Sequence, residues 1–360
     1  MDLQHRINAF SQLGTFLSQF TRSEVVKNDE VPHNELFFDG MLHQMKLANE
    51  HNGWFTKENV LFAIEGWASL LTEEKLTSWL SAYNFSTDKE QKTIAVIMAG
   101  NIPLVGFHDF LSVLMSGHAF VGKQSSNDKH LLPFLAKYLE YVAPGFKGKI
   151  HFTPDTLPEH DAVIATGSDN TARYFEYYFG KKPNIIRKNR NSVAVLTGNE
   201  TAEELTALAE DIFRYYGLGC RNVSKLFVPT DYNFDAFFNA MYPWHEIVNQ
   251  AKYANNYDYN KAVYLMSLFD MLENGFLMIK EDESYGSPIA TLFYERYSSL
   301  EALKEKLLSD ADKIQCVVSS QFGVSPLERQ AEEIPFGHTQ KPQLTDYADG
   351  VDTLAFLLKI

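Results

Sequence analysis

The pattern of hydrophobic positions changes near residue 93. Before that point, apolar side chains recur at intervals of three and four residues over Gln4–Phe20 and Asn59–Leu71, which predicts amphipathic helices. After it, short apolar runs alternate with helical stretches of roughly ten to fifteen residues. Strands that alternate with helices indicate βαβ units and a mostly parallel sheet. We therefore predict an α/β protein with helices at its amino end.

Polar residues follow several of the predicted strands. In parallel sheets, ligands bind beyond the carboxyl ends of the strands. We therefore expect Gly100-Asn101, Lys123-Gln124-Ser125 and Gly167-Ser168 to lie at one edge of the sheet. The predicted strands here are Ile94–Met98, Ala119–Lys123, Ile150–Phe152 and Ala162–Thr166, and the predicted helices run from near Pro103 to Ser116, over Lys129–Val142 and over Asn170–Phe179.

A second α/β region begins near Leu196. It contains a helix from Thr201 to Phe213, a strand over Ser224–Val228, and later strands near Ile289–Tyr294 and Cys316, with a helix over Ser299–Leu308 between these last two. The aromatic-rich segment 231–283 is expected to be irregular. We predict three ranges, 1–196 with the N-terminal helices and the first α/β region, 197–335 with the second, and a tail over 336–360.

Cys220 is the strongest candidate for chemistry in the chain. It follows Gly217-Leu218-Gly219 on a turn between the predicted helix and the next strand, and Arg221 comes directly after it. Glycines let a substrate approach the backbone closely, and a nearby cation favours the nucleophilic thiolate. The alternative is a small buried side chain, since free cysteines are among the most buried residues.

Composition narrows the function classes. Of 360 residues, 45% are hydrophobic and 22% are charged, as in soluble globular proteins. A net charge of −14 without a basic cluster argues against nucleic acid. Two cysteines cannot form a disulfide framework, which indicates a reducing compartment. With no signal peptide, no apolar stretch of membrane-spanning length and no metal-ligand motif, we predict a cytoplasmic protein without a metal.

Six stretches resemble, in order, motifs of the aldehyde dehydrogenase superfamily, and the form Gly-Asn-Ile-Pro-Leu is most similar to LuxC-like acyl-CoA reductases, the fatty-acid reductases. The resemblance covers residue 93 to the end. It implies a Rossmann-type NAD(P)-binding domain within 1–196, an α/β catalytic domain over 197–335, and a tail over 336–360 that pairs with a partner subunit. It also implies an acyl-CoA or other acyl thioester as substrate and a long-chain fatty aldehyde as product. The stretches are Ala99–Leu104, Gly117–Ser126, Thr166–Arg173, Gly217–Cys220, Glu283–Pro288 and Ile334–Gly337.

The resemblance also implies roles for single residues. Cys220 would be the nucleophile, and the side-chain amide of Asn101, with the backbone N–H of Cys220, would stabilise the oxyanion. From the sequence alone, Asn101 could equally cap the helix near Pro103. Lys123 would hold the adenosine ribose, Ser168 would lie at the pyrophosphate, and Glu283 would hold the nicotinamide ribose. Ser125 and Gly167 would also contact the cofactor. The alternatives are a solvated lysine at Lys123 and a plain helix cap at Ser168.

Two departures from the family pattern point to the reaction. Hydrolytic aldehyde dehydrogenases carry a glutamate that activates water, and its position falls on Arg187, in the basic run Arg187–Arg190. A guanidinium cannot act as a general base, so a thioester on Cys220 should resist water. The neutral segment Gln124–Asn127 beside Lys123 tolerates a 2′-phosphate, which favours NADPH, with NADH possible. The basic run could face a CoA or NADPH phosphate, or be a solvated turn.

Two other functions remain compatible with these residues. One is a hydrolytic aldehyde dehydrogenase that uses a different base. The other is a non-catalytic or partner-dependent acyl-transfer subunit, with the N-terminal helices and the aromatic segment binding an acyl-transferring or synthetase partner. Either form could be a homo-oligomer.

Overall fold

The computed structural model describes residues 1–85, 90–320 and 332–360. Its contacts divide the chain into two compact units, each built around a mostly parallel sheet. The predicted α/β class is confirmed. The first unit holds Met1–Lys188 with Gln343–Tyr347 and Val351–Ile360, and the second holds Asn189–Pro342 with Ala348–Gly350.

Four helices open the first unit, and two of them lie where the spacing of apolar residues predicts helices, over Gln4–Phe20 and Asn59–Leu71. The first is capped by Asp2, whose side chain accepts the backbone N–H of His5 at 2.9 Å. Its buried face carries Phe10, Leu13 and Leu17, which recur at helical spacing and enter the core. The helices are α1 (Leu3–Leu17), α2 (Asn34–His51), α3 (Lys57–Leu70) and α4 (Glu73–Leu80).

The first sheet has five strands in the order β3-β2-β1-β4-β5, and every described pairing is parallel. Its central strands are buried on both faces, which explains why the sequence shows continuous apolar runs there. The strands are β1 (Thr93–Ile97), β2 (Ala119–Lys123), β3 (Ile150–Thr153), β4 (Ala162–Thr166) and β5 (Asn184–Arg187), and the helices between them are α5 (Phe107–Ser116), α6 (Leu131–Val142) and α7 (Asp169–Phe179).

The second sheet has seven strands in the order β12-β11-β6-β7-β10-β9-β8. Its described pairings are parallel except for β8 with β9. The strands are β6 (Asn191–Val195), β7 (Val223–Pro229), β8 (Met271–Glu273), β9 (Met278–Glu281), β10 (Thr291–Tyr297), β11 (Ile314–Val318) and β12 (Glu332–Ile334), and the helices are α8 (Ala202–Phe213), α9 (Asp235–Met241), α10 (Ala251–Met266) and α11 (Leu300–Ser309).

Two predictions of secondary structure are wrong. The helix expected from near Pro103 begins only at Phe107, because a turn occupies residues 101–106 and Leu104 there has a left-handed φ of 58°. The segment 231–283 is not irregular, since it contains α9, α10, β8 and β9. Its tyrosines at 253, 257 and 264 form most of the buried face of α10, together with Asn260.

The compact units also divide the chain differently from the predicted ranges 1–196, 197–335 and 336–360. β6 pairs with β7 and β11, so the second unit begins before residue 196. Much of the tail packs within its own chain, because Leu354 and Leu357 of α12 (Thr353–Leu357) are buried in the core of the first unit. The ring Nε2 of His118 donates to the carbonyl oxygen of Leu357 at 2.9 Å and fastens the tail there.

A buried ion pair joins β5, α5 and α12 within the first unit. The guanidinium of Arg187 donates to both carboxylate oxygens of Asp109, at 2.6 and 2.9 Å, and to Oγ1 of Thr353 at 3.0 Å. All three residues are buried. The side chain of Arg187 is therefore used for structure, which removes the expectation that it faces a phosphate.

Replacing Arg187 with glutamate tests this structural role. A glutamate would stand beside Asp109 in a buried site, so Arg187→Glu should destabilise the protein by about 3–5 kcal/mol, as expected for a broken buried ion pair. Urea or thermal unfolding of the purified protein measures the loss.

The neighbouring residue provides the control. Lys188 is exposed and pairs with Glu176 at 3.2 Å, so Lys188→Glu should cost far less. An Arg187→Glu protein as stable as the wild type would contradict the structural role of the pair.

Candidate active site

Cys220 is exposed, on the turn between α8 and β7. Its carbonyl oxygen accepts a hydrogen bond from Oγ of Ser192 on β6 at 3.0 Å, which fixes the backbone of the residue while the thiol faces solvent. The other cysteine, Cys316, is fully buried in β11. The alternative of a buried Cys220 is therefore excluded, and an accessible thiol on a held backbone can act as a nucleophile.

The backbone before Cys220 is strained. Tyr215, Tyr216 and Gly217 follow α8 with positive φ angles of 55°, 59° and 74°. Glycine adopts this conformation freely, but each tyrosine pays a cost of order 1–3 kcal/mol. Such strain persists only where the surroundings fix the conformation, and it is typical of functional turns.

Asn222 supplies much of that fixation. It is buried, its Oδ1 accepts the N–H of Gly219 at 2.8 Å, and its Nδ2 donates to the carbonyl oxygens of Asp211 at 3.0 Å and Arg214 at 2.8 Å. One side chain therefore closes the turn across Cys220 and binds two carbonyl oxygens at the end of α8.

A second brace comes from the predicted motif Ile334–Gly337. The buried carboxylate of Asp211 accepts the N–H groups of Gly337 at 2.6 Å and Thr339 at 2.9 Å, and also the hydroxyl of Thr339 at 2.8 Å. Burial raises the pKa of Asp211, and these hydrogen bonds oppose the shift. Nε of Arg221 donates to the carbonyl oxygen of Thr339 at 2.6 Å. The expected effect of Arg221 on the thiol stays a prediction.

The segment that carries Glu283 lies along the start of β7. The carbonyl oxygen of Glu283 accepts a hydrogen bond from Nζ of Lys225 at 2.8 Å. The carbonyl oxygen of Tyr285 accepts one from Oγ of Ser224 at 2.7 Å. Lys225 is fully buried, pairs with Glu295 at 2.7 Å and lies 5.0 Å from the ring centroid of Tyr285. Burial lowers its pKa, which Glu295 opposes. Glu283 itself is exposed, and its contact with a ribose stays a prediction.

In the first unit, the predicted residues follow adjacent parallel strands. Ile97 of β1 is in register with Lys123 of β2, and the same residue is in register with Ala165 of β4. The segments at 100–101, 123–125 and 167–168 therefore lie at one edge of the sheet, as predicted. The turn at 101–106 separates Asn101 from α5, whose cap is Gly106, so Asn101 does not cap that helix.

Gly100 and Ser125 are in tight contact. A Cβ atom on Gly100 would stand 2.5 Å from Oγ of Ser125, so a larger residue would force Ser125 to move. Oγ of Ser125 also accepts the N–H of Asn127 at 3.2 Å. Lys123 and Ser125 are half-buried at the strand end, and their contact with a ribose stays a prediction.

The β4–α7 connection fits the pyrophosphate of a dinucleotide. Gly167 and Ser168 link the end of β4 to α7, and Ser168 is exposed at the helix cap, where its Oγ accepts the N–H of Thr171 at 3.4 Å. The N–H groups of a helix's first turn attract anions. The cap role of Ser168 is observed, and binding of a cofactor there stays a prediction.

Sequence reasoning missed Asn222, Asp211 and Lys225. The signal for Lys225 was a charge inside the apolar strand Val223–Pro229. Asn222 stands two residues after Cys220, but its contacts with the end of α8 depend on a turn that the sequence does not specify. Asp211 binds a segment more than a hundred positions away.

The described residues contain neither a metal-binding cluster nor a membrane-spanning helix. No cluster of three or more histidine, cysteine, aspartate or glutamate side chains there could hold a metal ion. No helix within 1–85, 90–320 and 332–360 has the length and apolarity to cross a membrane.

Asn222→Ala tests the brace on the Cys220 turn. The N–H of Gly219 and two carbonyl oxygens would lose their partner, and each buried group left unpaired costs about 1–3 kcal/mol. We expect lower stability in urea and a changed rate of Cys220 alkylation by iodoacetamide, with buried Cys316 labelled only on unfolding.

Asn199→Ala is the matched control, because Asn199 is an exposed asparagine of the same unit. It should leave both stability and alkylation rate close to wild type. If Asn222→Ala behaved in the same way, the turn would be held by other contacts.

Solved structures with a similar fold are aldehyde dehydrogenases. Aldehyde dehydrogenase 21 from Physcomitrella patens, in complex with the product succinate, matches with a TM-score of 0.67 and 11% identity over 100% of this chain and 84% of that one. A methylmalonate-semialdehyde dehydrogenase from Sinorhizobium meliloti complexed with NAD matches with a TM-score of 0.63 and 13% identity over 99% and 84%. These likenesses establish the aldehyde dehydrogenase fold.

A family model for acyl-CoA reductase (LuxC) matches residues 42–237, which is more than half of the chain. A search of curated proteins found no match. The family match supports an aldehyde-related oxidoreductase. The chain belongs to the LuxC family of acyl-CoA reductases.

Proposed function

We propose that this protein is an NADPH-dependent acyl-CoA reductase that makes a fatty aldehyde through a thioester on Cys220. The family supports the substrate class. The observation that carries the proposal is the exposed thiol of Cys220 on a turn fixed by Ser192 and Asn222. A nucleophile held in this way loses little freedom when it attacks.

The first half of the reaction transfers the acyl group. The Cys220 thiolate attacks the carbonyl carbon of acyl-CoA, forming a new C–S bond and a tetrahedral oxyanion. The amide of Asn101 and the backbone N–H of Cys220 stabilise that oxyanion. When the intermediate collapses, the bond to the CoA sulfur breaks, and CoA leaves as a thiolate that takes a proton from water. Acyl-Cys220 remains.

The second half needs a reductant. Bound NADPH would supply a hydride to the thioester carbonyl carbon, after which the carbonyl re-forms, the C–S bond breaks and Cys220 regains its thiolate as aldehyde leaves. Gly167 and Ser168 would hold the pyrophosphate, Lys123 and Ser125 the adenosine ribose, and Glu283 the nicotinamide ribose.

Arg187 bears on the fate of the acyl-enzyme. Where the hydrolytic relatives place a glutamate, this chain has an arginine held by Asp109 and Thr353. A guanidinium cannot deprotonate water. This favours an acyl-enzyme that persists until hydride or CoA arrives. The ion pair also shows that inserting glutamate at 187 tests folding rather than hydrolysis.

Trapping the acyl-enzyme tests the proposal. Without NADPH, the isolated protein mixed with a series of saturated acyl-CoAs should gain the mass of one acyl group. Adding NADPH should release aldehyde, and adding CoA should return acyl-CoA. Intact-mass spectrometry and product analysis follow both steps. Release of free acid as fast as the thioester forms would instead indicate a hydrolytic enzyme.

Cysteine variants locate the acyl group. Cys220→Ala should form no acyl-enzyme and no aldehyde while keeping its fold, whereas Cys316→Ala should keep both with a modest packing loss, because Cys316 is buried in β11. An active Cys220→Ala protein would overturn the proposal. Acylation that occurs only from another protein's thioester would indicate a partner-dependent transfer subunit.

Asn101→Ala should lower the rate of acylation by about 10²-fold, the effect of losing one oxyanion donor. Stopped-flow detection of released CoA at saturating acyl-CoA measures the rate, and circular dichroism verifies folding. An unchanged rate per folded molecule would show that Asn101 has no part in catalysis.

A further inference from the structure

The turn that carries Asn101 is contacted at both ends by a second turn of the first unit, formed by residues 125–128. At one end, Gly100 packs so closely on Ser125 that a Cβ would overlap it at 2.5 Å. At the other end, the N–H of Leu104 donates to Oδ2 of Asp128 at 3.2 Å. Asn101 lies between these two contacts, so the position of its backbone depends on the 125–128 turn.

Leu104 needs such a contact. It is buried and has a φ of 58°, in the left-handed region that leucine rarely adopts. A residue in this conformation returns to ordinary angles unless its surroundings hold it. Two hydrogen bonds oppose this change. The carbonyl oxygen of Leu104 accepts the N–H of Phe107 at 2.9 Å, and its N–H donates to Asp128, which is the contact that comes from outside the turn.

The buried carboxylate of Asp128 contributes little to the stability of the folded protein. Its Oδ1 is buried, and no described residue hydrogen-bonds that oxygen. Taking a carboxylate out of water with one hydrogen bond is costly, and burial raises the pKa of Asp128 to about 6. The carboxylate, the stronger acceptor, still predominates at neutral pH. Its one polar side-chain contact points to the Asn101 turn.

The 125–128 turn is fastened in its own right. The N–H of Asp128 donates to the carbonyl oxygen of Ser125 at 3.2 Å, which closes the turn. From the end of α2, Nε2 of His51 donates to the carbonyl oxygen of Ser126 at 2.6 Å, and Nδ2 of Asn52 donates to that of Asn127 at 3.4 Å. The support therefore runs from the N-terminal helices through this turn to Leu104.

We propose that Asp128 is a positioning residue for Asn101: by accepting the N–H of Leu104, it holds the 101–106 turn in the form that aims the Asn101 amide at the acyl oxygen. The inference rests on the proposed function, because it assigns Asp128 to the acylation step. Asp128 touches neither substrate nor the reacting atoms in this role, so its effect must pass through Asn101.

A double-mutant cycle tests that dependence. Acylation rates are measured at saturating acyl-CoA for wild type, Asp128→Ala, Asn101→Ala and the double variant. Asp128→Ala should slow acylation about 10-fold, and Asn101→Ala about 10²-fold. The double variant should be as slow as Asn101→Ala alone, since a misplaced turn matters only while the amide is present. Independent effects would multiply to about 10³-fold and would overturn the proposal.

Two further variants keep the test decisive if Asp128→Ala folds poorly. Asp128→Asn retains an acceptor at the same place and should restore acylation to within about threefold of wild type. Asp128→Glu keeps the charge but moves the oxygens by one methylene, so it should slow acylation as alanine does. A folded Asp128→Glu protein with the wild-type rate would overturn the proposal.

Asp161 provides the matched control. Its carboxylate accepts the N–H of Thr93 at 2.7 Å, at the opposite end of β1. Asp161→Ala should lower the melting temperature without changing the acylation rate, and an equal slowing of both alanine variants would overturn the proposal. If the wild type forms no acyl-enzyme, the proposed function fails together with this inference. If it does and the cycle is multiplicative, only the inference fails.

Discussion

The ion pair between Arg187 and Asp109 holds three elements of the first unit together and determines which side chain occupies the end of β5. It is bidentate and buried, and it adds Thr353 of the tail to β5 and α5. Removing either partner would leave an uncompensated buried charge. A position at the end of a parallel strand, where ligands usually bind, is thus occupied by a structural cation. The fold itself opposes a general base at 187.

In the second unit, the main constraint is the strained turn that carries the exposed residue Cys220. Left-handed tyrosines at 215 and 216 raise the free energy of the folded state, and hydrogen bonds from Asn222 hold the turn in that form. Asp211 then locks the end of α8 to the 337–339 segment. The turn therefore depends on side chains from before and after Cys220, and its exposure is a product of the whole unit.

Features that depend on neighbouring residues could be predicted from the sequence, and features that depend on contacts between distant segments could not. Strands such as Ala119–Lys123 and Ala162–Thr166 match the predicted bounds, because strands buried on both faces are continuous apolar runs. The start of α5 could not be predicted, since the turn before it depends on Asp128, which lies 24 residues away. The roles of Asp109 and Asp211 were equally hidden, because their partners come from distant segments that only the folded chain brings together.

The N-terminal helices gain a role from the same interactions. The pattern of apolar residues predicts helices at the amino end of the chain but gives no reason for their presence beside the first sheet. At the end of α2, His51 and Asn52 donate to the carbonyl oxygens of Ser126 and Asn127. The residue after Asn127 is Asp128, which hydrogen-bonds Leu104 in its left-handed form. A turn built only from β1 and α5 would lack the hydrogen bond from the N–H of Leu104 to Asp128. The helices are therefore part of the scaffold that fixes the Asn101 turn, rather than a separate appendage.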